Sequence, residues 1–248
     1  MLPPADHRPW PPPDRPWVMT QTWHDLLFAH WPIPVAALRD AVPPALTVDT
    51  ADGHAWIGVV PFHMTVRLRR CPPLPGTSAF PEINVRTYVT VAGKPGIFFL
   101  SLDAPSPVAV AVARRWYCLP YHRARITVER RGERILYESR RAGRGASPAE
   151  FAGAYGPSGE VFRARPGSLE YWLTERYCLY ALDRRGRLCR GEIHHAPWPL
   201  QAAEAEIERN TMAAARGIRL PDTAPLLHSA KRLTAVFWPL APVGKSEA

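Results

Sequence analysis

Within Phe80-Pro81-Glu82-Ile83-Asn84-Val85-Arg86-Thr87-Tyr88-Val89, the side chains able to do chemistry fall at every second position: Glu82, Asn84, Arg86 and Tyr88. On an extended chain such residues share one face and recur about every 6.6–6.8 Å. A carboxylate, a carboxamide, a permanent cation and a phenol therefore stand in a row, backed by an apolar face of Ile83, Val85, Thr87 and Val89. Glu82 and Arg86 straddle Asn84, so one small ligand can touch both. In that arrangement Glu82 serves as base or proton shuttle and Arg86 anchors a carboxylate or enolate oxygen. The plain alternative is a strand with its polar face in water.

Flanking residues bear on that choice and add candidates. The run Ile97-Phe98-Phe99-Leu100-Ser101-Leu102-Asp103 follows the turn Gly93-Lys94-Pro95-Gly96 and is apolar on both faces. A strand paired with such a neighbour is central, which turns the Glu-Asn-Arg-Tyr row toward an enclosed cavity. Ser101 and Asp103 share a face of the second strand and extend the polar row. Tyr121 and His122 form an acid/base pair if they line the cavity, with packing at a helix end as the competing reading. Arg176, near Tyr177 and Tyr180, is suited to a bidentate grip on a carboxylate, or to neutralising Glu82 or Glu170. His194 and His195 are adjacent and point to opposite faces of a strand, and spacing indicates no third ligand, so no metal site is expected. Gly-x-Ser-x-Gly elbows, phosphate-cradling loops and dinucleotide fingerprints are absent, and no cofactor is expected.

These residues need elements to position them. Thr22 to Trp31 reads as a strand, Val35 to Ala41 as a short helix, and Ala55 to Met64 as a strand bent at Gly58 or Pro61. The proline-rich loop from Cys71 to Pro81 is rigid and irregular. Pro107 to Tyr117 is a helix with Arg114-Arg115 at its end. Ala124 to Glu129 and Arg134 to Arg140 make a hairpin, and Gly143 to Gly159 reads as loop. Ser168 caps a short helix through Leu173, and Arg176 to Leu182 pairs with Leu188 to His195. Gln201 to Arg216, rich in alanine and glutamate and closed by Gly217, reads as the clearest helix. Lys231 to Leu240 is a final strand. About ten strands against three or four short helices predict an α+β, predominantly antiparallel β domain of the barrel or two-sheet kind.

The chain has 248 residues, enough for one large domain spanning 21–241, with a proline-rich and flexible lead-in at 1–20 and a tail at 242–248. The lead-in holds no apolar run long enough for a signal peptide or membrane span, which predicts a cytoplasmic protein without membrane contact. Four cysteines without Cys-x-x-Cys spacing read as reduced thiols. The net charge of +9 comes from arginines scattered in pairs, without the clustering and interleaved aromatics of a nucleic-acid surface. The expected partner is a small anionic or carbonyl-containing molecule, and edge strands leave a homo-oligomer open.

Glu82 to Val89, Arg176-Tyr177-Cys178-Leu179-Tyr180 and His194-His195-Ala196-Pro197-Trp198 resemble signature segments of the YqjF-like family, a domain of unknown function. Phe28 to Trp31, Val60-Pro61-Phe62 and Leu119-Pro120-Tyr121 resemble it as well, so the likeness runs from about Trp23 to Trp238. The resemblance implies a fold similar to acetoacetate decarboxylase, a closed β barrel or cone with an internal pocket and a few short flanking helices. It brings no established reaction. The decarboxylase has a pocket glutamate on a strand and a Schiff-base lysine in a Pro-Lys-Lys segment. The corresponding segment here is Pro120-Tyr121-His122, and the lysine is missing. Lys94 lies in a turn and Lys245 in the tail, leaving Lys231 as the one lysine to weigh as a substitute. Two readings stand: lyase-like or other acid/base chemistry on a small organic acid or carbonyl compound without an imine, and a non-catalytic binding or sensing module.

Overall fold

The computed structural model describes residues 4–71, 78–143 and 145–244. Its strands in chain order are β1 (Met19–Ile33), β2 (Thr47–Val48), β3 (Ala55–Leu68), β4 (Ala79–Val91), β5 (Lys94–Ala104), β6 (Tyr121–Arg131) and β7 (Arg134–Arg141). They continue with β8 (Glu150–Pro157), β9 (Cys178–Leu182), β10 (Leu188–His195), β11 (Leu200–Asn210), β12 (Leu226–Phe237) and β13 (Ala241–Pro242). Two α-helices, α1 (Pro107–Trp116) and α2 (Leu169–Thr174), join short 3-10 turns at Val35–Leu38 and Ala214–Arg216. Both helices start as capping rules require: Ser106 Oγ accepts from the Ala109 N–H, and Ser168 Oγ from the Tyr171 N–H.

The pairing is antiparallel throughout except where β5 meets β6 and β9. Two strands carry more than one partner on a single edge. β5 pairs with β4 on one side, while its other edge meets β9 at Ile97–Phe98 and β6 at Leu102–Ala104. β12 pairs with β1 on one side, while its other edge meets β11 at His228–Ala230 and β10 at Ala235–Phe237. The sheet therefore closes twice. A nine-strand barrel runs β5-β6-β7-β8-β11-β12-β1-β3-β4 and back to β5. A seven-strand ring runs β5-β9-β10-β12-β1-β3-β4 and shares the wall β12-β1-β3-β4-β5 with it.

Each ring has its own core. Leu27, Ile57, Val85, Tyr137 and Phe151 pack together inside the barrel. Leu26, Phe62, Leu102, Leu179 and Phe237 pack together inside the smaller ring. The shared wall supplies apolar side chains to both cores, as strands buried on two faces do. β4 and β5 are joined by the two-residue turn Ala92-Gly93, both with positive φ, the geometry that matches strand twist.

Several expectations are corrected. Gln201 to Arg216 is β11 followed by a single 3-10 turn, because Ala203, Ala205 and Ile207 alternate inward against Glu204, Glu206 and Glu208. Gly143 to Gly159 contains β8, which pairs with both β7 and β11. Thirteen strands replace about ten among the described residues. Lys231 lies within β12, mostly exposed and 3.7 Å from Glu133, so it cannot substitute for the missing lysine. Pro72 to Pro75, Gly76 and Lys245 lie outside the described residues.

The proline-rich segment lies along β10. Arg8, with its guanidinium buried, donates to the Ile193 carbonyl and pairs with Glu192 at 3.0 Å. Trp10 donates to the same carboxylate, and the His7 ring sits 2.8 Å from the His195 carbonyl. No helix among the described residues is long and apolar enough to cross a membrane.

Candidate functional site

Alternation along β4 divides its side chains between the two rings. Ile83, Val85 and Val89 enter the barrel core, while Glu82, Asn84 and Arg86 line a cavity inside the seven-strand ring. The cavity measures about 670 Å³ including its open mouth. Leu102, Tyr121, Arg176, Leu179, Ile193 and His195 also line it. Gln21 and Trp23, half-buried, stand on β1 in the same lining.

Glu82 is 3% exposed, and its Oε2 accepts from the Tyr121 hydroxyl at 2.6 Å. Burial raises its pKa to about 7, working against hydrogen bonds from Tyr121 and Asn84 that favour the carboxylate. The charge of Asp103 adds to the rise. A carboxyl near half-ionisation at neutral pH can both take and return a proton. Burial and the adjacent Glu82 push the Tyr121 phenol well above its ordinary value, so it stays a donor.

Two guanidinium groups share the cavity. Arg86 lies 5.1 Å from the Phe28 ring centroid, and its Nε has no partner among the described residues. Its stem passes Gly58, where an added Cβ would meet Arg86 Cγ at 3.3 Å and the His30 ring at 3.1 Å. Arg176 donates to the Trp172 carbonyl and pairs with Asp49, both at 2.6 Å, leaving Nη2 unpartnered among the described residues. Its expected partner, Glu82 or Glu170, is thus replaced by Asp49. Asn84 Oδ1 is likewise buried and unpartnered there. Buried donors and acceptors without a partner are costly until a ligand or water meets them.

Of the residues expected at the site, Glu82, Asn84, Arg86, Tyr121 and Arg176 come together. Five do not, each for a register or partner reason. Tyr88 lies beyond the cavity end, and its hydroxyl is 2.7 Å from His30 Nε2. Ser101 and Asp103 pair with Val85 and Ile83 and so face the barrel, where Arg141 grips Asp103 at 2.7 and 2.8 Å. His122 is the partner of Asp103 on β6, opposite in sense to Tyr121; burial and Arg141, Arg114 and Arg216 lower its pKa to about 4. The Tyr180 hydroxyl donates to the Lys94 carbonyl.

The sequence reading missed Trp23, Thr174, His195 and Trp198 as lining residues. The available signal was the segment His194 to Trp198, quoted for its resemblance and weighed only for a metal. His195 is held between the Ala196 and Arg176 carbonyls at 2.8 and 3.4 Å, and burial lowers its pKa to about 4. Trp198 donates its backbone N–H to Glu175, while its ring stacks on Trp23 at 5.5 Å and 5°. No lysine among the described residues lines the cavity.

A doubly closed sheet with a glutamate-bearing internal cavity places the molecule among acetoacetate decarboxylase-like folds. Acetoacetate decarboxylase from Legionella pneumophila superposes with a TM-score of 0.62 at 14% identity, over 97% of this chain and 94% of that one. The enduracididine biosynthesis enzyme MppR complexed with pyruvate gives 0.63 at 12% identity, over the same 97% and 94%. At these identities the likeness is one of fold.

Within that class the sequence is more specific. The DUF2071 profile, described as an uncharacterized conserved protein, matches residues 20–234. Uncharacterized protein YqjF of Bacillus subtilis (strain 168) is 51% identical over 229 residues, 92% of this chain and 93% of that protein. The chain belongs to the DUF2071, YqjF-like family.

Proposed function

We propose that the cavity binds a small 2-oxo acid and moves a proton at the carbon next to its carbonyl, without forming an imine. The observation that carries this reading is the 2.6 Å Glu82–Tyr121 hydrogen bond in the wall of a cavity that Arg86 and Arg176 also line, each with a buried N–H unpartnered among the described residues. Arg86 and Arg176 hold the carboxylate, where buried charge-assisted hydrogen bonds are strongest. Ionised Glu82 takes the proton: the C–H bond breaks, an O–H bond forms on Glu82, and the electron pair enters the enolate. Tyr121 and Asn84 steady the carboxyl in both states, and return of the proton reverses the step. The pyruvate in the MppR complex gives the choice of probe.

The test is exchange of pyruvate methyl protons in heavy water, followed by proton NMR. Wild-type protein is expected to exchange them, and Glu82→Gln to slow exchange by about 100-fold or more while binding persists. Borohydride added with pyruvate is expected to leave the protein mass unchanged, since no lysine among the described residues lines the cavity. Binding without exchange in the wild type would make the chain a sensing or carrier module, and a borohydride adduct would reinstate imine chemistry.

A further inference from the structure

The cavity wall is chemically mixed. Glu82, Asn84, Tyr121 and the two guanidinium groups share it with Trp23, Phe62, Trp198 and Phe237, and Phe62 stands opposite Glu82 across β3 and β4. The two sets are linked by contact. The Arg86 guanidinium sits 5.1 Å from the Phe28 ring, Phe28 meets Trp198 edge-on at 5.0 Å, and Trp198 stacks on Trp23. Trp23 in turn meets Phe62 and Phe237 edge-on at 6.5 and 6.0 Å. A carboxylate held by Arg86 therefore lies about two ring contacts from the Trp23–Trp198 stack. Trp198 Nε1 is buried and unpartnered among the described residues, an indole donor left over in this aromatic wall.

A three-carbon oxo acid satisfies the polar groups and leaves most of the aromatic surface without a guest. Aromatic walls reward a flat apolar body through area burial and edge or face contacts. We infer that the physiological ligand is an amphipathic 2-oxo acid bearing an aryl group, with its carboxylate on Arg86 and Arg176 and its ring against Trp23 and Trp198. This rests on the reading of the cavity as an oxo-acid site and adds the determinants of selectivity, Trp23 and Trp198. Trp23 is half-buried on β1.

The experiment compares pyruvate with phenylpyruvate by calorimetric titration of the full chain. Phenylpyruvate is expected to bind at least about tenfold more tightly than pyruvate. Trp23→Leu and Trp198→Phe are each expected to reduce that preference severalfold. Trp198→Phe keeps a ring in place, and circular dichroism at the working temperature verifies its fold. Equal affinity for the two acids, or a preference untouched by both variants, overturns the inference about selectivity alone. Failure of both acids to bind overturns the oxo-acid reading beneath it.

Discussion

Glu82 works because of what surrounds it. Its carboxyl is costly to bury, and two groups offset part of that cost: the Tyr121 hydroxyl and the Asn84 amide. Gly58 is the less obvious member of the site, since its missing side chain leaves room for Arg86 and His30. Gly58→Ala is expected to destabilise the protein by about 1–3 kcal/mol through overpacking, read by denaturant unfolding. The same change should weaken pyruvate binding, because the Arg86 stem must shift. On the barrel side, Asp103→Asn strands a buried Arg141 and is expected to cost about 3–5 kcal/mol. Replacing both by leucine and methionine should recover most of that loss, and a double-mutant cycle measures it. The Glu82, Asn84 and Arg86 row was legible because period-two alternation fixes which side chains share a face. Asp49 as the partner of Arg176 was not, because 127 positions separate them and only the fold brings them together.

At the scale of elements, β11 shows how composition misleads. Alanine and glutamate favour helices, yet Ala203-Glu204-Ala205-Glu206-Ile207-Glu208 repeats every two residues, and periodicity outweighs propensity when a buried face is available. Glu204 and Glu208 are exposed on this strand. Replacing each by threonine is expected to raise stability by up to about 1 kcal/mol, whereas in a helix it would lower it; thermal unfolding decides. β8 was unreadable for a different reason. Gly153 allows the backbone of β11 to approach so closely that an added Cβ would lie 2.6 Å from the Glu206 carbonyl. Small residues that permit sheet contact resemble loop residues in a sequence. The hairpin of β4 and β5, the capped α1 and α2 and the β9–β10 pair were all legible, since each depends on local turn or cap chemistry.

The whole molecule combines these residues in its pH response. His122 and His195 have folded-state pKa values of about 4 against an ordinary 6.5, so below about pH 6.5 the unfolded chain binds protons the folded chain refuses. Stability from these two rises as pH increases through that window. Glu82 does the reverse: its pKa of about 7 against 4.5 means the folded chain keeps a proton the unfolded chain loses, so its contribution falls as pH increases. The histidines outnumber it, and stability is expected to climb between about pH 4.5 and 6.5. Glu82→Gln removes the opposing group and should steepen the climb, as denaturant titrations across that range would measure.

The common wall of the two rings has a further consequence. Val85 and Ile83 do not line the cavity, yet they are the other side of the strand that holds Asn84 and Glu82. A methyl group gained or lost at either one moves the floor of the neighbouring room. Variants selected for altered ligand preference should therefore turn up among aliphatic positions next door, as tenants of a party wall feel each other's renovations.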